Sequence, residues 1–439
     1  EITLTEGSRV FETWKNPPPP VFMQFFFFNV TNPDEFLTGD KPIVSQVGPY
    51  TYREYRAKEN VTFVDNGTRV AAYQPKTFVF LPERSAGDPD VDMITTINIP
   101  AVAVMNKVKD SFWKSSMVSI WMNSLKVGMF MTRSVNELLW GFNDPLLSRL
   151  HTLNPEIDEY FGLMYKADFM DYGRVATFKG ESKLSLWTSE QSNMINGTDG
   201  SAFHPLLSKT ERLYIFSPDL CRSIFMEFEK DVWVKGLPAY RFTPPRDVLA
   251  SKEENPANEG FCVSPKECLG TGLLKVSVCR KGAPVVTSFP HFYLGDEKYS
   301  NAIEGLNPVR EHHQTYLDLN PTTGVPIRAS KRAQVNILIN RISGFPKTKS
   351  LNETIFPVMF INETVVIDDV SAAKLHKLLL MVTLVSNFPL ILVGLGAILL
   401  LVFIGLIVRE CKQKKSTKED TSYSPVSNKE AEEQNGSTY

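Results

Sequence analysis

Apolar and polar positions alternate with a period that changes several times along the chain. From residue 1 to about residue 110 the pattern reads as short strands separated by turns. Pro17 to Pro20 form a stiff extended lead into the run Phe25-Phe26-Phe27-Phe28, and Asn66-Gly67 marks a hairpin between β-rich segments. Val47-Gly48-Pro49-Tyr50 marks another turn, after which Thr51-Tyr52-Arg53-Glu54 alternates as a half-buried strand does. Between Lys107 and about Phe130 the period becomes helical. Trp113, Met117, Trp121 and Leu125 recur every four residues, and Val118 and Ile120 widen the stripe. Lys114, Ser115, Ser119, Asn123 and Lys126 occupy the other faces. A second helix is expected over Val135 to Trp140, ending near Gly141. Strand patterns return from Phe161 to Met359, broken by Pro, Gly and Asn clusters. No internal repeat and no linker divides this region, so the pattern predicts an α+β protein built on one large antiparallel, mostly β unit with helical insertions.

The last apolar stretch has a different character. No charged residue separates Lys377 from Arg409, and Phe388 to Val408 is almost wholly apolar. About 20 apolar residues at 1.5 Å rise span the ~30 Å hydrocarbon layer, so a transmembrane helix is expected here, with Pro389 at its outer end. Gly394 and Gly396 do not form the GxxxG pattern of a helix dimer. Arg409, Lys412, Lys414 and Lys415 follow the span and place the C-terminus in the cytosol. The expected organisation is a lumenal or extracellular ectodomain over 1–376, a membrane-proximal segment and transmembrane helix over 377–408, and a disordered cytosolic tail over 409–439. The chain begins at Glu1 without Met. Delivery of the ectodomain to the secretory route calls for an upstream segment, either a cleaved signal peptide or a second membrane anchor.

Six Asn-x-Ser/Thr acceptors lie on the lumenal side, at Asn29, Asn60, Asn66, Asn196, Asn352 and Asn362. A seventh, Asn435, falls in the tail and is expected to stay bare. Four of the five cysteines fall between Cys221 and Cys279, an even, clustered set that reads as two disulfides. The spacing of Cys262 and Cys268 fits a zinc site poorly, and sequence alone leaves three connectivities open. Cys411, just past the span, is a palmitoylation candidate.

Composition adds exclusions. With 43% hydrophobic and 22% charged residues the chain is globular, and a net charge of −2 gives no basic face for nucleic acid. No G-x-S-x-G elbow, Walker loop or H-E-x-x-H occurs, so neither a catalytic site, a metal nor a cofactor is expected. The competing class, a membrane-tethered hydrolase, lacks a nucleophile constellation. His312-His313 reads as a surface pair, whereas His204 and His291, each beside a proline, read as buried hydrogen-bonding residues at turns. The helix around Trp113 admits two readings. Either its stripe packs on the core, or its broad aromatic face is a docking surface, since aromatic and Met residues are enriched in such patches. Lys107, Lys109, Lys114 and Lys126 would then draw acidic ligands. In the tail, Tyr423-Ser424-Pro425-Val426 has the form of a sorting signal read by clathrin adaptors.

Several longer stretches carry a resemblance. Val47-Gly48-Pro49-Tyr50-Thr51-Tyr52-Arg53, Glu137-Leu138-Leu139-Trp140-Gly141 and Asn193 to Gly200 are three of them. Gly236-Leu237-Pro238-Ala239-Tyr240-Arg241-Phe242, Phe289-Pro290-His291-Phe292 and Leu317 to Gly324 are the others, with Cys221-Arg222-Ser223 between. In this order they resemble the class B scavenger receptors nearly end to end, the tail excepted. The resemblance implies a second, N-terminal span. It also implies a β-barrel-like ectodomain topped by a helical apical bundle and pierced by an apolar tunnel that carries lipid. It implies that Trp113, Lys114, Met117, Ile120, Trp121 and Lys126 lie where ligands bind, and that Cys221 pairs with Cys279 and Cys262 with Cys268. The partners it implies are cholesterol, phospholipid, fatty acid or lipoprotein, with glucocerebrosidase for the lysosomal branch. Ser192 and Gly260 stand where another branch has a third bridge. That double change and the run around Cys262 are most similar to the lysosomal branch, which implies a lysosomal or late endosomal membrane, with the plasma membrane as the alternative. The tail departs from that branch, offering the tyrosine motif in place of an acidic dileucine signal, and Lys107 to Phe130 contains no histidine for acid release of an enzyme.

Overall fold

The computed structural model describes residues 5–17, 19–64, 69–73, 75–164, 183–264, 268–280 and 282–420. Two compact units divide the chain between Ala372 and Ala373. The first contains strands β1 (Val21–Val30), β2 (Val44–Tyr55), β3 (Glu59–Val64), β4 (Arg69–Tyr73), β5 (Thr77–Phe80) and β6 (Met93–Ile97). Next come β7 (Phe130–Ser134), β8 (Phe142–Asn143), β9 (Tyr160–Phe161), β10 (Leu213–Ser217), β11 (Arg222–Val234) and β12 (Leu237–Thr243). The series ends with β13 (Leu274–Lys275), β14 (Val285–Ser288), β15 (Tyr316–Leu319), β16 (Pro326–Ile339) and β17 (Thr354–Val366). Its helices are α1 (Arg9–Lys15), α2 (Pro33–Thr38), α3 (Ile99–Val108), α4 (Phe112–Ser124), α5 (Val135–Trp140), α6 (Pro145–His151), α7 (Glu297–Asn301) and α8 (Arg310–His313).

One large antiparallel sheet organises this unit. Its strand order is β10-β11-β12-β15-β16-β17-β1-β2-β5, with β14 also on β16 and β13 on β14. The expected α+β fold on a large antiparallel sheet is present, and the path is open among the described residues, with β10 and β5 at its ends and no closed barrel. The Phe run explains why β1 sits inside the sheet, between β17 and β2. Phe25 and Phe27 pack with Tyr50, Tyr52, Ile94 and Leu139, whereas Phe28 packs with Phe356 and Phe360 in a second cluster. Burial along β1 alternates until Phe27 and Phe28, which are both fully buried. The pairing with β2 shifts register between Phe25 and Phe27, and such a bulge sends successive side chains into cores on the two faces. Gly48 faces this bulge. A Cβ there would come within 2.7 Å of the Phe25 carbonyl oxygen, at a φ of +123° that favours glycine.

The helical expectations hold in part. α5 occupies Val135–Trp140 with Gly141 after it, fixed by a capping box in which Ser134 and Glu137 each serve the other's backbone N–H. The stretch from Lys107 to Phe130 is not one helix. α3 ends at Val108, Ser111 takes extended angles, and α4 runs only to Ser124 before β7 begins at Phe130. The four-residue recurrence cannot register this break, because it begins only at Trp113, inside α4, past the turn at Lys109-Asp110-Ser111.

α9 (Asp369–Asp420) contains a stretch of mean hydropathy 3.2, long and apolar enough to cross a membrane. It begins well before Phe388, so Pro389 lies inside the helix and not at its outer end. It also continues past Arg409 to Asp420, where the sequence reading expects a disordered tail. Lys414 reaches Glu410 one turn back at 3.1 Å, an i,i+4 contact that supports the polar end.

Candidate ligand-docking site

α3 is the buried support. Asn98 caps it by accepting from the Ala101 N–H at 3.1 Å, and Ile99, Ala101, Val102 and Met105 are buried. α4 buries Ser115, Val118 and Met122, at i, i+3 and i+7. Ser115 marks a close approach: a Cβ on Gly344 would come within 2.6 Å of its Oγ. Trp121 is half-buried against the same core, and the Arg149 guanidinium lies 5.6 Å from its ring.

A second apolar stripe points away from that core. Trp113, Met117 and Ile120 are 82%, 40% and 66% exposed, and Phe112 beside them is 75% exposed, its ring set edge-on to Trp113 at 5.8 Å. A helix needs one apolar face to pack, and α4 has two. Lys107, Lys109, Lys114 and Lys126 are exposed around it, with no carboxylate within 4.0 Å of any among the described residues. Trp113, Met117 and Ile120 therefore do not pack as core, whereas Trp121 does in part. The missed member is Phe112, one position outside the four-residue recurrence.

The bridges lie elsewhere, in the region of Leu184, Trp187 and Val276. Cys221 is joined to Cys279 with a Cα separation of 6.6 Å, and Cys262 to Cys268 at 5.0 Å, the pairs that the resemblance implies. The Trp187 indole donates to the Cys221 carbonyl at 2.7 Å, fixing the strand start. A Cβ on Gly260 would lie 2.2 Å from Ser192 Oγ, so these two positions adjoin.

The profile of the CD36 family matches residues 1–407. This chain belongs to the CD36 family. Lysosome membrane protein 2 of Homo sapiens is 40% identical over 437 residues, covering 96% of this chain and 90% of that protein. Scavenger receptor class B member 1 of Cricetulus griseus is 35% identical over 421 residues, covering 91% of this chain and 82% of that protein. The same protein of Mus musculus is 34% identical over 421 residues, covering 91% and 82%. The chain is a class B scavenger-type membrane receptor.

Within this family member the other expected sites are scattered. Asn60 and Asn352 are exposed, Asn29 and Asn196 are half-buried, and Asn66 lies outside the described residues. Asn362 is 9% exposed, and its amide nitrogen donates to Gln24 Oε1 at 2.8 Å. Cys411 is free and exposed on α9. Tyr423 and Val426 lie outside the described residues. No cluster of three metal-binding side chains occurs among the described residues.

His291 is buried and hydrogen-bonded and His312 is exposed, as their sequence readings expect, whereas His204 and His313 differ from theirs. His204 is exposed and pairs with Glu211 at 2.8 Å, so it is not a buried turn residue. His313 is buried, unlike its exposed neighbour His312, and its ring stacks on that of His291 at 4.3 Å. The Asn307 N–H donates to His291 Nδ1 at 3.0 Å, and the Val309 N–H donates to His313 Nδ1 at 2.8 Å. Each imidazole is thus a neutral acceptor toward the 307–309 backbone. Burial pushes His291 down to about 4 and, with His291, His312 and Arg332 nearby, His313 down to about 3.

Proposed function

We propose that this receptor captures lipid-bearing ligands through the exposed stripe of Phe112, Trp113, Met117 and Ile120, with Lys114 and Lys126 steering anionic particles toward it. The observation that carries this reading is the 82% exposure of Trp113 on a helix already anchored by its opposite face. A large, rigid aromatic side chain left in water suits an interface anchor better than a solvated surface. Lysines without partnered carboxylates add attraction and on-rate. The ligands are cholesterol, phospholipid, fatty acid or lipoprotein, and lipid passes onward through an ectodomain tunnel. The protein acts without catalysis.

The lysosomal or late endosomal membrane is the proposed location, supported by 40% identity to a protein named lysosome membrane protein 2. The plasma membrane is the alternative, supported by the scavenger receptor relatives. Clathrin adaptors reading Tyr423 and Val426 would set the balance, and glucocerebrosidase carriage belongs to the lysosomal reading. Immunolocalisation of the intact protein beside Tyr423→Ala tests this part, since an unchanged distribution removes the tail signal. The docking part is tested with Ile120→Asp and with Lys114→Glu/Lys126→Glu. Both should fold, with stability within ~0.5 kcal/mol of the parent, and both should lose binding of phosphatidylserine-containing vesicles. Normal vesicle binding by both variants would refute the site.

A further inference from the structure

A second site, independent of the docking stripe, lies on the large sheet. A cavity of about 230 Å³ is walled by β1, β2, β16, β17 and α8. On its apolar side the Phe26 and Phe360 rings stack 4.5 Å apart. Its polar side is the unusual part, because the acceptors there are already used.

Ser330 Oγ donates to Asn362 Oδ1 at 2.7 Å, so the Asn362 amide nitrogen is the group that donates to Gln24 Oε1. His291 Nδ1 accepts from the Asn307 N–H, so its Nε2 carries the proton and donates to Gln46 Oε1 at 2.7 Å. His313 Nδ1 accepts from the Val309 N–H, so its Nε2 also carries the proton. What remains toward the cavity is donors: the amide nitrogens of Gln24 and Gln46, and Nε2 of His313. None of the three has an acceptor among the described residues.

Arg332 supplies the charge. Its Nη1 donates to the carbonyls of Glu311 and Gln314 at 3.2 and 2.7 Å, and its Nε to Asn362 Oδ1 at 3.3 Å. No carboxylate lies within 4.0 Å of it among the described residues. Neighbouring arginines are balanced: Arg241 and Arg328 share Asp318, and Arg56 holds Glu54 and Glu363. A half-buried guanidinium without a counter-charge, beside donors without acceptors, is complementary to an anion.

We propose that this cavity binds a compact oxyanion, a carboxylate or phosphate group, held by Arg332, His313 and the Gln24 and Gln46 amides. At roughly 30 Å³ per water, the volume matches a head group with a few carbons, the carbons lying against Phe26 and Phe360. A free ion and an amphiphile head group present the same chemistry, and chain length separates them.

The test uses the full chain in a neutral detergent, titrated calorimetrically with inorganic phosphate and with n-octyl phosphate. Saturable binding of either supports the site. Equal affinities identify a free-ion site, and tighter octyl phosphate identifies an amphiphile head group. Arg332→Gln should weaken binding about tenfold or more, Arg332→Lys should retain most of it, and His204→Gln, at an exposed residue outside the cavity lining, should leave it unchanged. Should Arg332→Gln fail to fold, phenylglyoxal labelling of the parent decides, because phosphate should protect Arg332 and leave exposed arginines labelled. Absence of saturable binding of both probes overturns the proposal. So does parental affinity in Arg332→Gln, or labelling of Arg332 that phosphate does not slow.

Discussion

The buried histidine pair makes stability depend on pH in a way that can be worked out. His291 and His313 are 4% and 5% exposed, with pKa values of about 4 and about 3 in the folded chain. An unfolded histidine titrates near 6.5. Between these values the unfolded chain binds protons that the folded chain refuses. Stability from each group is therefore fully present above about pH 6.5 and declines as pH falls toward the folded value. From pH 7 to pH 5 the loss is about 2 kcal/mol per histidine and about 4 kcal/mol for the pair. Carboxylates also titrate in acid, so the comparison must be between variants. Asn at position 313 retains an acceptor for the Val309 N–H and cannot be protonated in this range. Denaturant unfolding of the full chain in detergent, followed by Trp fluorescence at pH 7 and pH 5, gives the two slopes. His313→Asn should lower stability at pH 7, yet lose about 2 kcal/mol less than the parent on acidification. Parallel pH dependences in parent and variant would refute the reasoning.

Asp318 is fully buried and accepts from Arg241 at 2.7 and 2.8 Å and from Arg328 at 2.7 Å, so Asp318→Ala strands two guanidinium groups. The expected cost is about 3–5 kcal/mol, read by the same denaturant titration, whereas surface Asp110→Ala should be silent. Cys221–Cys279 closes a separation of 58 residues, so opening it by Cys221→Ser/Cys279→Ser should cost about 4 kcal/mol, measured as reduced secretory export and earlier unfolding. Peptide mapping after glycosidase treatment should find a glycan at exposed Asn352 and none at Asn362, and occupancy of Asn362 would contradict its bond to Gln24.

Much of this architecture is legible in the sequence because it is locally encoded. The Phe run, the helix ending at Gly141, the apolar stretch before Arg409 and the ordered family stretches each announce themselves within a few residues. The break between α3 and α4 does not, since the apolar recurrence that marks the helix begins only at Trp113, past the break. Nor could periodicity choose between the faces of α4. It finds Trp113, Met117 and Trp121 as one stripe, but burial follows Ser115, Val118 and Met122, because only tertiary contact says which side faces the core. Asn362 shows the same limit from another side. Its sequon is a local triplet, while the partner that engages it, Gln24, lies 338 residues earlier. His313 was hidden by its neighbour, since a doublet suggests solvent and only one of the two is there.

The two sites differ in how they are tied to the fold, and that difference orders the experiments. α4 is held by one face and exposes the other, so the stripe proposed for docking can be altered while Val118 and Met122 still anchor the helix. Loss of binding there reports on binding. The sheet cavity has no such separation. Gln24, Asn362, Ser330 and Arg332 bond to one another, and Gln46, His291 and the 307–309 backbone form a second chain beside them. Removing one member leaves another buried and unsatisfied, at a cost of about 1–3 kcal/mol. A network whose members hold one another in place is also one whose donors are held in fixed directions before any ligand arrives. Pre-orientation of that kind lowers the entropy lost on binding. The same coupling that makes the cavity hard to mutate cleanly is therefore what makes it suited to hold an anion, and ligand-protection measurements on the unaltered chain carry more weight there than loss of function.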